Sequence, residues 1–140
     1  MTQPSEQQAT GAKNRTATLF TLCAIQGVFY VVSGIWPLLS PRTFQIVTGF
    51  KADFWLAQTV GAMLALSGVV LFLAARAGRI TSEIALLGGG LAAVLCVVDI
   101  GCVAAPRTTP AYWVDAVVEC GLVVAWVIAW RRSGRKLQRR

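Results

Sequence analysis

An all-α fold, a transmembrane four-helix bundle with short connections, is what this sequence predicts, on three observations. Of its 140 residues 56% are hydrophobic and only 14% charged, at a mean hydropathy of +0.63. A soluble domain of this size carries about 25% charged residues. The apolar residues gather into four blocks, 17–39, 54–75, 82–105 and 110–130, each close to the roughly 20 residues that carry a helix across a bilayer. Helix starts and stops then fall in the gaps between the blocks.

Residues 1–16 are polar and offer nothing that could build a core, so they are expected to form a disordered cytoplasmic tail. The apolar run from Ala17 to Leu39 exceeds the 7–15 residues of a signal-peptide core and no A-x-A-like site follows it, so it reads as an anchor. Within it Cys23, Gln26, Gly27, Tyr30, Ser33 and Gly34 recur at helical steps, a small and polar stripe turned toward partner helices. Trp36 and Pro37 mark its exit.

Ser40-Pro41 reads as an N-cap followed by an N1 proline, and Thr48-Gly49 as a stop. Between them Phe44, Ile46 and Val47 are expected to rest on the membrane surface. Asp53 is placed to cap the second span, whose Gly61, Ala65 and Gly68 suit close helix approach. Arg76-Ala77-Gly78-Arg79 ends that span, and Thr81 or Ser82, with Glu83 in the first turn, opens the third. Gly88-Gly89-Gly90 lacks the preceding strand and following lysine of a phosphate loop, so it reads as a packing surface. Thr109-Pro110 opens the fourth span. One membrane domain over 17–132 and a basic cytoplasmic tail over 133–140 complete the division.

Orientation follows from the cations. The two tails and the second loop hold ten of the thirteen Lys and Arg, against three in the first and third loops. The positive-inside rule puts both termini in the cytoplasm. Trp36, Trp55 and Trp113 would then form an outer aromatic belt, and Trp126 with Trp130 an inner one. Arg131, Arg132, Arg135 and Lys136 are candidates for contact with anionic lipid, each basic residue near the surface adding about 1 kcal/mol. The excess of Arg over Lys, with abundant Ala, Gly and Val, suggests a bacterial plasma membrane as the location.

The fourth span is the unusual one. Asp115 and Glu119 stand four residues apart, hence on one helix face. Eight aliphatic residues between Val114 and Ile128 favour insertion by roughly 0.3 to 0.6 kcal/mol each, and each central acid opposes it by about 2.5 to 3.5. The near-cancellation calls for a partner that shields the acids. The short third connection makes the last two spans antiparallel neighbours, so Asp99 and Glu119 come to a similar depth, roughly 10–14 Å below the outer surface at about 1.5 Å per residue. Asp115 is shallower. Gln58 from the second span and Tyr30 and Gln26 from the first complete the candidate ligand-binding or proton-exchange set.

Absences narrow the chemistry. The chain has no histidine, which excludes His-ligated haem, zinc or copper and His-based acid–base catalysis. No catalytic residue, metal site or cofactor is expected, and the sequence leans away from an enzyme. The four cysteines, Cys23, Cys96, Cys102 and Cys120, form no C-x-x-C pair of the kind a membrane disulfide oxidoreductase would use. They read as small apolar packing residues, with a Cys102–Cys120 bridge conceivable.

The stretch from Gly27 to Ala65, with a Gly-rich first helix, an aromatic-Pro exit at Trp36-Pro37 and the P-x-x-F segment Pro41–Phe44, resembles small bacterial four-helix membrane proteins of the DoxX-like type. The resemblance implies a four-span bundle from a family of mostly uncharacterised members, some linked to quinone or redox partners. No cofactor motif here carries such an activity over.

The expectation is therefore a small non-enzymatic integral membrane protein with an outward-facing acidic pocket, a ligand-binding or accessory subunit. A proton-coupled transporter of small molecules or cations and a purely structural bundle are the alternatives. Small multidrug-type exporters match in size, but their carboxylate lies in the first span, where this chain has none. Expected partners are the lipid bilayer, a lipophilic or cationic small molecule, and a second copy or another membrane protein, but no nucleic acid.

Overall fold

The computed structural model describes residues 4–50, 52–104 and 109–133. Among them are five helices and no strand: α1 (Pro4–Leu39), α2 (Pro41–Thr48), α3 (Phe54–Arg76), α4 (Ser82–Val103) and α5 (Pro110–Ser133). From Ala17 onward α1, and likewise α3, α4 and α5, are long and apolar enough to cross a membrane. Where composition predicts a disordered tail up to Thr16, the helix starts at Pro4. Proline suits a first helical position, and Glu6, Gln7, Gln8 and Ala9 are good helix formers that carry the span's ladder backward.

The helices pack as two antiparallel hairpins, α1 on α3 and α4 on α5, which meet along a thinner seam. Lipid is as apolar as leucine, so close packing and interhelical hydrogen bonds hold such helices together. In the first hairpin glycines face each other in two steps. A Cβ on Gly27 would stand 2.8 Å from the Gly68 carbonyl oxygen, and a Cβ on Gly34 would overlap that of Gly61. Both pairs are seven residues apart on their own helix, so the backbones touch over two turns. Pro37 joins this contact, its ring against Gly61.

Buried positions recur at helical spacing: Ala85, Gly88, Ala92, Cys96 and Asp99 on α4, and Ala116, Glu119, Trp126 and Ala129 on α5. Large aliphatics face outward instead, Leu86, Val97 and Val117 among them. The interior is thus small and polar, and the perimeter apolar.

The turns follow local chemistry. After α3, Gly78 takes φ +65°. Its N–H bonds to the Ala75 carbonyl, and the Arg79 N–H bonds to that of Ala74. This is the Schellman arrangement, which a Cβ at that φ would oppose. Gly49, at φ +87°, ends α2 in the same left-handed region. Ser40 and Asp53 occupy the predicted N-cap positions, yet neither side chain caps its helix. Thr43 Oγ1 donates to Ser40 Oγ at 2.8 Å, and the Trp36 indole N–H donates to Thr43 Oγ1 at 3.0 Å. Phe44 stacks edge-on between Trp36 and Phe54 instead of lying out in lipid with Ile46 and Val47.

Candidate functional site

Glu119 sits on the α5 face turned toward α1, 1% exposed, where Tyr30, itself fully buried, donates its phenolic O–H to Oε2 at 2.9 Å. The bond joins the two hairpins. Its partners are set by spacing: Tyr30 is one turn from Gln26 on the polar stripe of α1, and Glu119 is one turn from Ala116 on α5. Asp99 comes from α4, 5% exposed, and its Oδ2 is shut away from solvent without a hydrogen-bond partner. Asp115 is exposed, one turn from Glu119 toward the start of α5. Asp99, near the end of α4, and Asp115 and Glu119, near the start of α5, lie in the same half of the antiparallel hairpin.

Gln26 is engaged elsewhere. Its Nε2 donates to the Gly88 carbonyl at 2.8 Å, and its Oε1 accepts the Trp126 indole N–H at 2.6 Å. The amide ties α1 to both helices of the second hairpin. Gly88 makes this possible, since a Cβ there would stand 2.5 Å from the Trp126 ring. Trp126, expected in an inner aromatic belt, is 4% exposed and belongs to the core, whereas Trp36, Trp55, Trp113 and Trp130 are exposed. One further turn from the helix end takes its ring below Trp130 and onto the glycines of α4. Gln58 is half-buried on α3, and among the described residues no hydrogen bond links it to Glu119 or Asp99.

One groove lies away from the acids. A groove of about 570 Å³ lies at the opposite end of α4 and α5, lined by Gly89, Gly90, Ala93, Trp126, Trp130 and Arg131 among others. It is apolar because the same small residues that admit Trp126 leave a trough beside it. Arg131 is exposed there, while Arg135 and Lys136 lie outside the described residues and no side-chain position is described for Arg132.

Two thiols also meet. Cys96 Sγ and Cys120 Sγ stand 2.8 Å apart. Cys102, whose bridge to Cys120 is only conceivable from the sequence, is half-buried nearer the connection. The antiparallel register explains the exchange: Cys96 is ten residues before Pro106, and Cys120 ten after Pro110. Cys23 is occupied separately, donating to the Leu71 carbonyl at 3.3 Å. Among the described residues no group of three or more Cys, Asp or Glu side chains is arranged to hold a metal ion.

Protein-family models, curated proteins and solved structures all gave no match to this chain. What the site can do therefore rests on its own groups: two buried carboxyls, one bonded to Tyr30 and one with an oxygen lacking a partner, and an exposed acid one turn from Glu119.

Proposed function

We propose that this small multi-pass membrane protein binds a cationic or hydrogen-bond-donating lipophilic ligand at Asp99 and Glu119. The observation that carries the reading is the buried, unpartnered Oδ2 of Asp99. An acceptor left open in a medium without water costs free energy that a donor from a ligand would recover. Exposed Asp115, one turn above Glu119, offers the point of approach. The charge asymmetry supports both termini inside, so that Asp115 faces outward, and the Arg-rich composition supports a bacterial plasma membrane. Exchange of a proton for the ligand at the same two acids would make the binder a carrier.

The test is a binding isotherm for 2-phenylethylammonium, at once a cation and an N–H donor, on the protein in nanodiscs, repeated with Asp99→Asn and Glu119→Gln. Binding that weakens at least tenfold in both variants supports the reading. Equal binding in all three forms, or none, refutes it.

The Tyr30–Glu119 bond favours a second reading, in which the acids only pair helices. In that case the variants lose stability, while the wild-type protein takes up no ligand.

A further inference from the structure

The Cys96–Cys120 contact plays no part in the acidic site's binding chemistry. The two sulfurs belong to neighbouring antiparallel helices and touch at 2.8 Å. Their surroundings differ: Cys120 is exposed on the apolar perimeter of α5, and Cys96 is buried behind it on α4. Glu119 adjoins Cys120 in sequence. An exposed thiol on a lipid-facing surface meets oxidants dissolved in lipid, and a second thiol in contact is placed to resolve the product.

We propose that Cys96 and Cys120 are a reversible dithiol–disulfide pair oxidised by lipid-borne organic hydroperoxides, clamping α4 to α5 at the level of the acidic cluster. The Cys120 sulfur attacks the terminal oxygen of ROOH, giving up its proton. The O–O bond breaks, the alkoxide leaves with that proton as ROH, and Cys120 carries S–OH. Cys96 sulfur then attacks the Cys120 sulfur, the S–O bond breaks, and hydroxide leaves with the Cys96 proton as water. Two thiols and one hydroperoxide give one disulfide, one alcohol and one water, with two electrons passing from sulfur to the peroxide. A dithiol reductant reverses the bridge by exchange.

The test treats the full chain in liposomes with cumene hydroperoxide, counts free thiols after denaturation, and maps the joined peptides. Two of the four thiols should disappear, the linked peptides should contain Cys96 and Cys120, and dithiothreitol should restore both. The Cys23→Ala/Cys102→Ala double variant keeps the pair and should still lose two thiols. Cys96→Ala should leave a sulfenic acid at Cys120 that dimedone traps, and Cys120→Ala should lose none. Four surviving thiols in the wild type, a bridge through Cys102 or Cys23, or a bridge between two copies would overturn the proposal.

Discussion

Replacing Tyr30 with Phe removes one oxygen and leaves the ring in place, so it isolates the bond that ties the hairpins together. The lost contact is 2.9 Å long, between two side chains that are 0% and 1% exposed, so no water replaces it. Interhelical hydrogen bonds in membranes average about 0.6 kcal/mol and reach about 1.7, while an unpaired buried group costs about 1–3 kcal/mol. Tyr30→Phe should therefore cost about 1–2 kcal/mol if the Glu119 carboxyl is neutral. An ionised carboxylate stripped of its donor would raise the cost to about 3–5 kcal/mol. The assay is SDS-driven unfolding in mixed micelles, followed by tryptophan fluorescence, for Tyr30→Phe, Glu119→Gln and the double variant. Coupling of about 0.5–1.5 kcal/mol between the two sites is expected for a neutral pair. Additive effects, or a Tyr30→Phe variant as stable as wild type, would refute the claim that this bond joins the hairpins.

Three further outcomes rest on the packing and one on the placement of the cations. Gly34→Ala and Gly68→Ala place a methyl against opposing backbone and should each cost about 1–3 kcal/mol in the same unfolding assay. Gly121→Ala meets nothing within 4 Å and should be neutral or stabilising by up to about 1 kcal/mol, the helix-propensity gain. Trp126→Phe leaves Gln26 Oε1 without its donor and should cost about 1–3 kcal/mol, with a fluorescence change reporting the loss of a core indole. In a cysteine-free background, Thr43→Cys should react with a membrane-impermeant maleimide from outside intact cells and Ser133→Cys only after lysis; the reverse pattern would invert the topology.

The four spans were legible because hydropathy and end signals agree. Ser40-Pro41, Gly49, Gly78 and Thr109-Pro110 bracket the helices within a residue or two of their observed ends. The placement of Asp99 and Glu119 in the same half of the second hairpin was also legible, since a short connection fixes the register of two antiparallel helices. The same arithmetic pairs Cys96 with Cys120, each ten residues from its proline, whereas Cys102 lies four before Pro106. Trp126 misled because a tryptophan five residues from an arginine reads as an interface residue until Gly88 is known to stand opposite. The groove was hidden for a related reason. Gly89 and Gly90 advertise close packing, but only the position of α5 decides whether a helix or an empty trough fills the space. Composition alone also sets no boundary to α1, because ordinary helix formers continue whatever ladder a stable span has begun.

Each hairpin is knit by its own close approach, whereas three side-chain bonds, made by Tyr30, Gln26 and Trp126, bridge the plane between them. The molecule is therefore built like a pair of clasped hands, with a natural line of division at the turn around Gly78. Severing the chain there should leave two halves that insert independently and find each other again in the bilayer when produced together.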